Sequence, residues 1–290
     1  MFQDTVDRYR RTLAQRAVSR YDLMAIILPL TIIIMAEAIF FFSSRGADLD
    51  GFSTVVLLHA LNLAVCILIP IILKLDNSIY QAYALLSVLR ILSIGMPNFG
   101  GIWLDWALLV YIPLIPVIWF ALMDERFKFS MEPGQFPFRG LIQESRLYLT
   151  SLTGSINQMV AGGFAGLVIG MVAYLILDAP AIVSGAGFQE MLFAILILVA
   201  LVAMVEELLF RRMLLRRIAK RFGPLMAVTL SALVFAAMHS SYVSIPLMAF
   251  MFLFGLALGL VYVHTGRLAI TVPMHGAMLV AMMAIGPALL

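Results

Sequence analysis

Nine apolar runs, most of them close to the length that crosses a bilayer, dominate this 290-residue chain and leave it one class of fold. They cover residues 23–42, 55–73, 80–96, 104–123, 159–177, 191–210, 225–239, 246–263 and 268–290. A helix rising 1.5 Å per residue needs about 20 residues to cross the hydrocarbon core. Lipid offers no partner for a free N–H or C=O, so each crossing must satisfy its own backbone, as a helix does. The chain is 63% hydrophobic and only 12% charged, so lipid is the solvent for most of it. The expected fold is an all-α, polytopic transmembrane helical bundle of eight or nine spans. The run 225–239 is short for a full crossing, so its helix is expected to continue beyond one of those limits.

The basic residues set an expected orientation, because short loops rich in Lys and Arg stay cytoplasmic. With the amino terminus inside, Arg8, Arg10, Arg11, Arg16, Arg20, Lys74, Arg126, Lys128, Arg139, Arg146, the cluster from Arg211 to Arg221 and Arg267 all fall on the cytoplasmic side. Arg45 falls outside, and Arg90 lies within a run. The chain therefore reads as an integral membrane protein with a cytoplasmic amino terminus and nine crossings. The net charge of +3 and the pI near 9.1 follow from that topology and are not a nucleic-acid signature. The first run is long enough to span and no small-residue cleavage site follows it, so it reads as a retained anchor. Cys66 is the sole cysteine, so no intrachain disulfide can form.

Polar residues mixed with Pro and Gly over 124–150 mark a cytoplasmic linker. It separates a first group of four helices, 1–123, from a second unit, 151–290. The first group holds Glu37, His59 and Arg90 at membrane depth. Charges so placed normally pair, so Glu37 and Arg90 are expected to be partners and His59 a hydrogen-bonded packing residue, all three structural.

The second unit holds the polar groups that bear on chemistry. Glu206 and Glu207 end the apolar run 191–210, where ionisable side chains cost a few kcal/mol each and usually mark function. Glu207 and Arg211 are four apart on one helix face and can pair. Glu206 points about 100° away from Glu207, which frees it to act on a water. Gly223 and Pro224 form a stop-and-turn signal. Glu206 lies 17 residues before Gly223 and His239 lies 16 after it, so an antiparallel hairpin sets the two side by side, roughly 25 Å from the turn. Phe235, one turn before His239, can help dry the site. His275 falls near mid-depth in the last run, able to donate to an oxyanion or to bind a metal with His239 and a glutamate. His264 reads as an interfacial loop residue. The polar stretch after His239 is expected to line a wet cavity, since irregular backbone at depth must. The competing reading treats both acids as solvated charges at the membrane boundary.

At these residues the sequence resembles the CaaX protease and bacteriocin-processing family of intramembrane proteases. Its Glu-Glu-x-x-x-Arg motif matches Glu206, Glu207 and Arg211, its Phe-x-x-x-His motif matches Phe235 and His239, and the histidine of its His-x-x-x-Asn motif matches His275. The resemblance covers roughly 150–290, and no motif falls in the first four runs. It implies an endopeptidase, a hydrolase, cutting a membrane-embedded or lipidated peptide. Glu206 would activate a water, His239 would orient that water or a metal, His275 would stabilise the oxyanion, and Glu207 with Arg211 would hold the frame. Glu206, His239 and His275 allow zinc without requiring it. One position departs from the pattern: Leu279 stands where the family has the asparagine that assists the late histidine, and Thr271, one turn before His275, is a substitute hydroxyl. That departure favours a rival reading, a non-catalytic protein using the same Glu/His cluster as a proton or ion pathway or as a site for a partner helix.

Overall fold

The structure is a computed structural model that describes residues 20–46, 49–94, 102–130, 156–177, 179, 181–183 and 187–289. Among the described residues it is all-α, without strands. Helix α1 is Arg20–Gly46, α2 Leu49–Ile72, α3 Ser78–Ser93, α4 Ile102–Ser130 and α5 Ile156–Leu177. Then come α6, Phe188–Phe222; α7, Pro224–Ala237, extended through a 3-10 turn at Ser240–Tyr242; α8, Ile245–Thr265; and α9, Leu268–Leu289. Eight of these are long and apolar enough to cross a membrane. The ninth, α3, has 16 residues and is wrapped by its neighbours, with Tyr80, Tyr83, Leu86 and Arg90 buried. Helix α4 runs seven residues into the stretch expected as linker, and residues 131–150 of that stretch lie outside the described residues.

Burial sorts the chain as a lipid-solvated protein requires. Large apolar side chains such as Ile72, Phe120, Ile176 and Leu225 face outward, while Glu37, His59, Arg90, Glu206, Glu207, Arg211, Arg217 and His275 are buried. A polar group facing hydrocarbon has no partner, so such residues turn toward the bundle interior and one another.

Helix α6, at 35 residues, is roughly 50 Å long, with runs of π-type hydrogen bonding on both sides of Glu206 and Glu207. It ends at Gly223, whose φ of 88° is open to glycine and strained for other residues. Pro224 then opens α7 at the helix position that needs no N–H, giving the expected hairpin.

Helix α9 is held between two glycine contacts. On one side Gly162, Gly166 and Gly170 of α5, spaced four apart, lie against the carbonyl oxygens of Ile270, Met274 and Met278; a Cβ at each would stand 2.6, 2.1 and 2.3 Å from them. On the other side Gly276 meets α6, where an added Cβ would be 2.7 Å from Val199 Cα. Without a hydrophobic drive between helices in lipid, close backbone packing of this kind supplies the attraction. It fixes the helix that carries His275.

The first four helices pack directly on the rest. Arg217 of α6 donates to Ser78 O (2.6 Å) at the start of α3, and Arg221 pairs with Asp76 (2.9 Å) and Asp22 (3.2 Å).

Candidate active site

Because Glu206 and Glu207 are consecutive on α6, the helix sends them to different neighbours. Glu207 is fully buried. Its Oε2 lies 3.3 Å from Arg211 Nε, one turn on, and its Oε1 is 3.0 Å from His275 Nδ1. Arg211 also donates to Gly255 O at 3.4 Å and lies 4.8 Å from the Phe235 ring centre, a cation–π contact. Glu206 turns the other way, accepting a 2.7 Å hydrogen bond at Oε1 from Tyr111 of α4. Its Oε2 is 3.8 Å from His275 Nε2. His275 therefore sits between the two carboxylates, its ring edge-on to Phe235 and Phe254.

His239 comes off the end of α7. Its Nδ1 donates to Phe235 O at 2.7 Å, so in the neutral ring Nε2 is the acceptor. The ring stacks on Tyr242 with centroids 6.0 Å apart, and Phe235 covers it at 4.7 Å. Helical hydrogen bonding gives way after Ala237 to the short turn, and Val243 takes a left-handed conformation at φ 53°. Ser241 and Tyr242 of that segment line a cavity of about 70 Å³ together with Glu206 and His239. That volume has room for a handful of waters, with several polar partners for them. The irregular backbone thus borders a space able to hold water.

Three further residues of the cavity wall, Arg90, Ser93 and Tyr111, come from the first four helices. Arg90 forms the expected pair with Glu37, and it is bidentate: Nε to Oε1 and Nη2 to Oε2, both 2.7 Å. His59 Nε2 is 3.1 Å from the same carboxylate. The group does not stand apart from the cavity, however. Arg90 Nη2 also donates to Ser240 Oγ (3.0 Å), and Ser240 donates to Glu37, so the cluster grips the residue next to His239. Tyr111 left no signal in an otherwise apolar run. Arg90 did, as a charge inside a span, but pairing with Glu37 accounted for it.

Leu279 lines the cavity and brings no polar atom to it. Thr271 is completely enclosed and its hydroxyl finds no partner among the described residues; it lies outside the cavity wall. Nor does His275 form part of that wall.

Zinc would need several ligand atoms converging at about 2.0–2.2 Å. His275 Nδ1 is taken by Glu207, and its Nε2 is not on the cavity that His239 and Glu206 share. Among the described residues no three His, Cys, Asp or Glu side chains are grouped to hold a metal ion. The residues in place do not fit a zinc site.

Residues 188–281 match the family model described as type II CAAX prenyl endopeptidase Rce1-like. Over that stretch, about a third of the chain, the protein is similar to the Rce1-like family. No curated protein and no solved structure matches the chain. The Rce1-like segment runs from the start of α6 into α9 and contains Glu206, Glu207, Arg211, His239 and His275, while Arg90 and Tyr111 lie outside it. The family is one of membrane proteases, in agreement with eight apolar helices of spanning length.

Proposed function

We propose that this protein is an intramembrane endopeptidase that hydrolyses a peptide bond in a membrane-associated substrate, a prenylated tail being the first class to test. The observation that carries the reading is that Glu206 and His239 border one water-sized cavity inside an apolar bundle. In this reading Glu206 takes a proton from a cavity water, which His239 Nε2 holds by hydrogen bonding. The water oxygen attacks the carbonyl carbon. As the tetrahedral intermediate collapses, the C–N bond breaks and Glu206 returns the proton to the leaving nitrogen. Tyr111 holds one Glu206 oxygen, and His275, anchored by Glu207 and Arg211, stands behind the other. His275 thus acts as a positioning residue for the base.

The test is cleavage of a farnesylated peptide ending in Cys-aliphatic-aliphatic-X by the full-length protein reconstituted in lipid. Glu206→Gln is expected to lower kcat by about 10²–10⁴, the range for general acid–base catalysis. Equal rates for the two proteins reject the mechanism. The rival reading, a proton pathway or partner-helix site, draws on the apolar Leu279 in the cavity wall. It predicts that Glu206→Gln changes ion flux or partner binding and that the wild type cuts no peptide.

A further inference from the structure

Peptide hydrolysis drives negative charge onto the carbonyl oxygen, and a donor fixed beforehand against that charge is usually the largest single catalytic contribution. Within the Rce1-like segment the cavity wall offers only neutral hydroxyl donors, those of Ser241 and Tyr242, the latter directed at Met283 Sδ (3.9 Å). Leu279 is apolar, Thr271 and His275 lie off the wall, and the His239 Nδ1 hydrogen is taken by Phe235 O. From outside the segment, Tyr111 commits its hydroxyl hydrogen to Glu206 and Ser93 commits its own to Arg90 O.

Arg90 differs. Its Nε and Nη2 hydrogens are taken by Glu37 and Ser240, and its guanidinium carbon lies 4.6 Å from the Phe40 ring centre. Nη1 has no hydrogen-bond partner among the described residues, and the side chain forms part of the cavity wall. Desolvating two charges costs several kcal/mol per ion, and apolar side chains of similar volume often hold a fold as well as a buried ion pair does. A pair serving only to join α1 to α3 would have no need to border a polar cavity. A guanidinium locked on one edge, with its remaining N–H groups uncommitted, is a preorganised charged donor.

We propose that Arg90 is a catalytic residue of the protease reading above, on which this inference rests: its Nη1 donates a hydrogen bond to the oxyanion in a cavity to which Leu279 brings no donor. The carbonyl π pair moves onto oxygen as the water attacks, Arg90 keeps its proton throughout, and collapse returns the pair to the carbonyl as the amine leaves. The first four helices are then part of the active site.

The experiment uses the full-length protein in lipid and the same farnesylated peptide, with kcat and KM measured separately and folding followed by thermal unfolding. Arg90→Gln is combined with Glu37→Gln, so that no buried carboxylate is stranded, and Leu279→Asn is then added to that pair. The pair is expected to lower kcat about 10²-fold, the usual loss for one oxyanion donor, with KM within a few-fold. Leu279→Asn is expected to recover about tenfold by placing an amide donor in the same cavity. An unchanged kcat in the folded pair variant, a loss confined to KM, or a loss that Leu279→Asn does not relieve would each overturn the proposal and leave Arg90 a brace. If the pair does not fold, Arg90→Lys decides the matter: it keeps the charge against Glu37 but loses the second terminal nitrogen, and a wild-type kcat there refutes the donor role. Cleavage that survives Glu206→Gln, or no cleavage by the wild type, fails the protease reading itself. Cleavage that needs Glu206 but is indifferent to Arg90 fails only this inference.

Discussion

Replacing Gly166 by alanine tests how the His275 helix is held. The added methyl carbon would lie 2.1 Å from Met274 O and 2.9 Å from Met274 C. A carbon–oxygen contact is comfortable at about 3.3 Å, so α5 and α9 must separate by roughly 1 Å at this point. Helix α9 has little freedom to retreat, because on its far side Gly276 is already against the Val199 backbone. Overpacking of this kind costs about 1–3 kcal/mol. The strain falls beside His275, whose 3.0 Å contact with Glu207 and 3.8 Å approach to Glu206 set the rear of the site. A displacement of about 1 Å can cost on the order of 10²-fold in rate. Gly163→Ala is the matched control: one turn position away, its nearest neighbour would be Pro273 Cβ at 4.0 Å, and replacing a helical glycine there should be neutral or gain up to about 1 kcal/mol. Thermal unfolding of the two variants in the same lipid, with peptide cleavage measured alongside, compares them directly. Wild-type stability and wild-type kcat in Gly166→Ala would refute both the close α5–α9 contact and the role given to the helix it holds.

Two other variants probe the carboxylates. Glu207→Gln leaves Arg211 buried without its counter-ion and should destabilise the protein by about 3–5 kcal/mol; an unfolding midpoint equal to wild type would show that Arg211 is not held by this pair. Tyr111→Phe removes a single hydrogen bond to the Glu206 carboxylate, of a kind contributing about 1.5–3 kcal/mol. It should lower kcat by about tenfold or more with little change in KM, and an unaffected kcat would remove Tyr111 from the site.

Hydropathy and turn chemistry made most of the helical architecture legible, because lipid leaves so few options for the backbone. Gly223 and Pro224, with nearly equal spacing to either side, were enough to bring Glu206 and His239 to one cavity. The Glu37–Arg90 pair was legible for the same reason: a charge in a span needs a partner. Three things were not legible. The short α3 reads like a crossing because buried and lipid-facing apolar residues look alike in sequence. Tyr111 is one aromatic in an apolar run, and only the packing of α4 on α6 gives its hydroxyl a carboxylate. The contact of Ser240 with the Glu37–Arg90 pair joins residues some 150 positions apart, which no periodicity encodes. His275 was legible as a polar residue within an apolar run, but its orientation depends on Glu207, Phe235 and Phe254 together.

The small size of the cavity has a consequence of its own. Pockets that engulf drug-sized ligands run to about 300–1,000 Å³, and 70 Å³ accommodates a nucleophile without its target. In the protease reading, a scissile segment needs more room beside Glu206 than this cavity provides. The stretch from Ser240 to Val243 is the portion of that enclosure without a continuous helical ladder, and it is clamped from the amino-terminal half through Ser240. In the protease reading, widening the cavity at this turn would have to break contacts with Glu37 and Arg90, two residues that the Rce1-like segment does not itself contain.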